Sequence, residues 1–138
     1  MSFALDERLA RDTFPVGDLP LSRVLLMNDA RWLWLILVPR RVGVGELTDL
    51  DAADRALLIE ETAAVADFLE RRANPDKINI GALGNVVRQF HLHVVARFAG
   101  DPAWPGPVWG QEGAQAYGAG EAEPLIDAAR QALKLVSP

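Results

Sequence analysis

Seven consecutive apolar residues, Trp32-Leu33-Trp34-Leu35-Ile36-Leu37-Val38, restrict the folds open to this chain more than any other segment. Successive side chains of a strand point to opposite faces, so a strand that is apolar at both parities has to be covered on both. The run is far too short for the roughly 20 residues that span a bilayer, and Pro39 ends it. It therefore predicts a central strand with one layer packed above it and one below. A chain of 138 residues can bury such a core without a disulfide or metal staple, and one domain over 1–138 accounts for its length.

The remaining segments supply the layers. Ser22–Met27 reads as a further strand, and Leu5, Leu9 and Ala10 give the N-terminus a weak helical period that Phe14-Pro15 and Gly17 stop. Thr48 is placed to cap a helix over Thr48–Ala73, with Asp49 and Asp51 in its first turn. Leu50, Ala53, Leu57, Leu58, Ala64, Val65, Phe68 and Leu69 recur along that helix at three- and four-residue intervals, which aligns them on one stripe. Asn74-Pro75 closes it. Lys77–Ile80 resumes an extended pattern, Val86–Phe98 reads as another strand, and Glu121–Val136 has the spacing of a terminal helix. These elements predict an α+β fold: an antiparallel sheet of about five strands, the long helix on one face and terminal helices at the edges.

Composition narrows the chemistry. The chain has no cysteine and two histidines, His91 and His93. Thiol nucleophiles, cysteine-ligated zinc, iron–sulfur clusters and three-histidine zinc sites are all excluded. Met1–Asp12 carries Asp6, Glu7, Arg8 and Arg11 without an apolar core segment, so no signal peptide and no membrane anchor are expected. With no thiol to oxidise, a cytoplasmic location is the expectation. A net charge of −5 with dispersed basic residues argues against a nucleic-acid polymer as partner.

Parity along Gln89-Phe90-His91-Leu92-His93-Val94-Val95-Ala96-Arg97-Phe98 locates a candidate site. Phe90, Leu92, Val94, Ala96 and Phe98 share an apolar face suited to packing under the long helix, while Gln89, His91 and His93 line the other. Three readings suit that polar row: a solvated sheet face, a metal site completed by a carboxylate or Gln89, or nucleophilic catalysis at phosphorus by an imidazole. In the last case a neutral imidazole needs no separate base if its other nitrogen donates to a fixed acceptor.

Gln89-Phe90-His91-Leu92-His93-Val94-Val95 resembles the histidine triad (HIT) motif, His-φ-His-φ-His-φ-φ, with Gln in place of the first His. Leu35-Ile36-Leu37-Val38-Pro39-Arg40-Arg41 resembles the family's apolar strand ending in Pro and basic residues, and Leu47-Thr48-Asp49-Leu50 the start of its central helix. Asn79, and Gly84-Asn85-Val86-Val87, stand where the family has an Asn and a Gly-Gln/Asn segment. The resemblance runs over about residues 24–98, leaving a C-terminal loop and helix at 99–138. It implies a symmetric homodimer that joins two sheets, a small nucleotide as substrate, and no cofactor. It also implies that His91 attacks the α-phosphate to form a covalent nucleotidyl-histidine, with His93 and Gln89 beside it. Asn79, Gly84 and Asn85 would then contact phosphate and Asn28 the ribose. For the asparagines, turn chemistry is the alternative use. A dinucleoside polyphosphate or nucleoside phosphoramidate hydrolase or transferase is the leading expectation, and a nucleotide-binding protein without turnover the second.

Two departures from the motif matter. Gln89 cannot titrate near neutral pH, and Trp34 stands where the family has an outlying His on the preceding strand. Trp104 and Trp109, in the proline-rich segment Asp101–Gly110, suit either a lid on the site or core and dimer packing. Arg88 and Arg97 read as solvated surface.

Overall fold

All six residues of the strand Trp34–Pro39 are buried. The computed structural model of the chain describes residues 2–138. In it this strand, β3, is the middle member of a five-stranded antiparallel sheet ordered β1-β2-β3-β5-β4. The others are β1 Thr13–Asp18, β2 Ser22–Met27, β4 Lys77–Gly81 and β5 Leu92–Arg97. Three helices accompany them: α1 Glu7–Asp12, α2 Ala52–Ala73 and α3 Glu123–Leu133. Among the described residues no helix is long and apolar enough to cross a membrane.

The two-sided burial of β3 takes the form its sequence requires. Leu35 and Leu37 join Val94 and Ala96 of β5 beneath Val65, Phe68 and Leu69 of α2. On the opposite face Trp34, Ile36 and Val38 join Val95 of β5, Leu9 of α1 and Val108. The α2 layer is the deeper one. The second layer, thinner and built from the N-terminus and a loop, leaves room for a cleft.

Several boundaries differ from the sequence expectation, each for a local reason. Thr48 lies in a 3-10 turn, Leu47–Asp49, and Leu50 is extended, so α2 starts only after Asp51, whose side chain accepts from the Asp54 N–H. Its other end falls at Ala73 as expected, with Asn74 left-handed at φ 48°. α3 ends at Leu133 because Lys134 turns left-handed at φ 54°. Pro15 and Gly17 read as breakers, yet they lie within β1. That strand is an edge with a register irregularity between these two residues, and an edge tolerates a missing N–H. Gly17 is needed for space: a Cβ there would meet Leu135 Cβ at 2.7 Å, where the C-terminal segment bridges to Asp18.

The correction with most bearing on function concerns the strand expected over Val86–Phe98. Its ladder begins at Leu92. Gly84 at φ 73° bends the chain, and the Phe90 N–H donates to the Val44 carbonyl outside the sheet. Gln89 and His91 thus lie in the segment that leads into β5, and only His93 lies in the strand.

Glu61 fastens α2 to the sheet. Buried on the inner face of the helix, its carboxylate accepts the Leu21 N–H at 2.7 Å and the Ser22 N–H at 3.0 Å. Glu61→Ala strands both donors away from water, so urea denaturation should show a loss of about 3 kcal/mol.

Candidate active site

His93 sits between two strands and two tryptophans. It pairs with Ile36 of β3 and Gly81 of β4, and the residue is 5% exposed. The Trp34 indole N–H donates to His93 Nδ1 at 2.9 Å. An indole nitrogen can only donate, so Nδ1 carries the lone pair and the neutral ring holds its hydrogen on Nε2. Burial, and then the neighbouring His91, push the pKa of His93 down to about 3. At neutral pH His93 is therefore an uncharged hydrogen-bond donor. Trp109 packs on it with ring centroids 5.5 Å apart.

His91 carries the opposite tautomer. Its Nδ1 lies 2.7 Å from the Gln89 carbonyl oxygen. A carbonyl only accepts, so Nδ1 bears a hydrogen, and in the neutral ring the lone pair is then on Nε2. The two rings stand edge to face with centroids 4.9 Å apart. One offers an electron pair and the other an N–H, each set by a neighbour with a single hydrogen-bonding role.

A cleft of about 560 Å³ opens beside His93, walled by Met27, Asn28, Asp29, Trp34, Leu83 and Trp109 among others. A larger groove between α2 and α3 contains neither histidine and lies apart from this chemistry. Asn28 is held in the cleft wall by the Tyr117 N–H, which donates to its Oδ1 at 2.9 Å. The loop that carries Tyr117 is pinned across the strand ends. Ala30 N–H donates to the Gln115 carbonyl at 2.6 Å and Arg31 to the Glu112 carbonyl at 2.8 Å. Arg31 also pairs with buried Asp29 at 2.8 Å; burial pushes that carboxyl up, but the hydrogen bonds from Arg31 hold it below its ordinary value.

The other residues singled out in the sequence divide. Gly84 and Asn85 lie in the segment between β4 and β5, directly after Leu83 of the cleft wall. Their main-chain N–H groups have no partner among the described residues. Asn79 does not line the cleft; its Oδ1 accepts from Arg97 at 2.7 Å. The Gln89 carboxamide is engaged away from His91, accepting from the Asp6 N–H and donating to the Ala4 carbonyl, both at 2.8 Å. Among the described residues no group of three His, Cys, Asp or Glu side chains is placed to hold a metal ion.

Arg97, expected at the surface, is 1% exposed. It shares the face of His93 and donates to Asp101 at 2.8 and 3.1 Å, to Asn79, and to the Gly106 carbonyl at 2.7 Å. The guanidinium holds the Asp101 carboxyl well below the usual carboxylate range. This network fixes the loop that brings Trp109 onto His93. Its parity with His91 and His93 was the available signal, because an arginine on that face inherits the burial of the row.

Two measurements follow from this geometry. A Cβ at Gly81 would lie 2.9 Å from Trp109. Gly81→Ala should therefore displace the indole, altering near-UV circular dichroism at a cost of about 1–2 kcal/mol. For His93, the unfolded chain binds a proton below pH 6.5 while the folded chain does not until about 3. Stability then rises with pH through this window and is lost as pH falls toward 3. Relative to His93→Gln, the wild type should lose about 1.4 kcal/mol per pH unit on acidification, read by denaturant titrations in that interval.

Comparison with known proteins agrees with this architecture. The HIT domain family model matches residues 8–100. A histidine triad protein from Bradyrhizobium japonicum superposes with a TM-score of 0.93 at 45% identity, covering 96% of this chain and 99% of its own. One from Sinorhizobium meliloti is 51% identical with a TM-score of 0.87, covering 97% of each chain. One from Marinobacter aquaeolei is 41% identical with a TM-score of 0.94, covering 97% of this chain and 98% of its own. A search of curated proteins found no match. With residues 8–100 matched to the family model and His93 lining a cleft, its ring against that of buried His91, the chain belongs to the HIT domain family.

Proposed function

We propose that this protein cleaves or transfers at the α-phosphate of a small nucleotide derivative, through a nucleotidyl group carried on His91. The family is generally one of nucleotide-binding hydrolases and transferases. The observation that carries the proposal is the 2.7 Å contact of His91 Nδ1 with the Gln89 carbonyl, which leaves Nε2 free to attack. In the first step Nε2 bonds to phosphorus, the bond to the leaving group breaks, and the leaving group takes the electron pair. His93 Nε2–H and the free N–H groups of Gly84 and Asn85 donate to the phosphate oxygens as charge builds. The oxygen of water or of another acceptor then bonds to phosphorus, the phosphorus–nitrogen bond breaks with its electron pair returning to His91 Nε2, and the proton of the attacking oxygen passes to solvent. In this reading Asn28, held in the cleft wall, contacts the sugar.

Proton supply discriminates between leaving groups. His93 is neutral, and its Nδ1 is occupied by Trp34, so it stabilises charge but has no spare proton to give. A phosphate departs as a stable anion, whereas an amine departs only when protonated. Within this proposal the protein therefore favours dinucleoside polyphosphates over nucleoside phosphoramidates. We also infer a homodimer built on β4, the free edge strand. Ile80, Leu47 and Ile59, all more than 40% exposed, border an apolar groove with Phe90 and Leu92 beside that edge. A cytoplasmic location belongs to the same reading, supported by a chain without cysteine.

Turnover of a dinucleoside polyphosphate and of the matching phosphoramidate tests the reading. The anhydride should be cleaved with kcat/KM about a hundredfold higher, and His91→Asn should abolish release of nucleotide from both. Tight binding without release, unchanged in His91→Asn, would show a binding protein and defeat the proposal. Sedimentation should give a dimer that Ile59→Arg shifts toward monomer.

A further inference from the structure

Gln89 engages two main-chain groups at once. The Asp6 N–H and the Ala4 carbonyl that it holds flank Leu5, so the carboxamide stands where the N–H and C=O of one residue on a neighbouring parallel strand would stand. Such docking needs a donor and an acceptor side by side on one planar group. A carboxamide provides this, whereas the two nitrogens of an imidazole point apart. A glutamine at the first position of the triad is thus fitted to a task that a histidine there could not perform.

The docked segment is held from other directions as well. Phe3 and Leu5 pack against the layer that contains Trp34 and Val95. Asp6 caps α1 by accepting from the Arg8 N–H at 2.8 Å, and the Arg8 guanidinium donates to the Val86 carbonyl at 3.0 Å. Three hydrogen bonds therefore join residues 4–8 to residues 86–89, a stretch that has left the sheet and has no ladder to support it. The carbonyl of Gln89 itself is the acceptor that orients His91.

We propose that Gln89 is a positioning residue: its carboxamide clamps the N-terminal segment Ala4–Asp6, and the main chain so held presents the carbonyl that keeps the His91 ring in its attacking orientation. The inference rests on the reading of His91 as the nucleophile. It assigns the first position of the triad to the support of that nucleophile, and contact with phosphate to other groups.

A double-mutant cycle tests it. Asp6 has φ −55°, which proline adopts, so Asp6→Pro deletes the N–H that Gln89 holds without redirecting the chain. Asp6→Ala keeps that N–H and supplies the baseline for loss of the helix cap. Gln89→Met removes both hydrogen bonds of the carboxamide. With a dinucleoside polyphosphate as substrate, Gln89→Met should lower kcat about tenfold and leave KM within about twofold. Asp6→Pro, which removes one of the two bonds, should lower kcat by less than Gln89→Met does, measured relative to Asp6→Ala, and Gln89→Met with Asp6→Pro should be no worse than Gln89→Met with Asp6→Ala. In long-range proton–nitrogen NMR spectra, His91 should pass from a single Nδ1–H tautomer to a mixture in both variants.

A raised KM in Gln89→Met with losses that multiply in the double variant would place the carboxamide on the substrate and overturn the proposal. So would a His91 tautomer that none of these changes disturbs. If Gln89→Met does not fold, Gln89→Glu serves, since it keeps the acceptor for Asp6 and loses the donor to Ala4; it should give a smaller loss in kcat with the same change at His91. The NMR arm needs no substrate. Absence of turnover in the wild type would therefore defeat the proposed function while the ring spectra still decide the role of Gln89.

Discussion

The hydrogen bond from Trp34 to His93 ties the chemistry of this protein to its core. Trp34 is part of the most buried strand in the sheet, fixed by neighbours on both sides. An indole N–H in such a place has one direction and one role, so the ring that receives it cannot rotate or exchange tautomers freely. Protonation of His93 Nδ1 would break that bond and place a charge among Trp34, Trp109 and Val95. The same burial that stabilises the sheet thereby holds an imidazole neutral.

From that point outward the site is assembled by pinning. His91 is set by a main-chain carbonyl, the Gln89 carbonyl by the N-terminal segment, and Trp109 by the Arg97–Asp101 network. Loops carry most of the cleft, yet each is fastened by a group with few alternatives: a buried guanidinium, a carboxylate held charged by its arginine, an asparagine accepting from a main-chain N–H. Such preorganisation is what a reaction at phosphorus requires, because charge on the equatorial oxygens has to meet donors already in place. Metal ligation has no comparable set of groups among the described residues.

The sheet was legible because its signals are local. A run apolar at both parities predicts a central strand, and Trp34–Pro39 is one. The regular spacing from Leu58 to Leu69 predicts the helix that covers it. Pairing at the edge was hidden, since Pro15 and Gly17 signal a turn unless the chain end that packs on them is known. The histidines were legible as a pair, but the extended parity continued past the point where the ladder stops. Nothing local reveals that the Phe90 N–H finds Val44 instead of a strand. Gln89 and Asn79 were grouped with the site by sequence position. Their partners, Ala4, Asp6 and Arg97, are supplied by long-range contacts or by a neighbouring strand. The burial of Arg97 was missed because a lone arginine at a strand end is ordinarily solvated.

The central claim is that two imidazoles in opposite tautomers suffice, with His91 attacking and His93 only donating. Its most direct test is the site of the covalent adduct. Protein mixed with a dinucleoside polyphosphate, quenched in alkali within the first turnover and digested, should carry one nucleoside monophosphate on the peptide that contains both rings, with fragmentation placing it on His91. The adduct should persist, more slowly formed, in His93→Gln, which retains the attacking ring. An adduct on His93, or steady turnover with no adduct on either ring, would contradict the account.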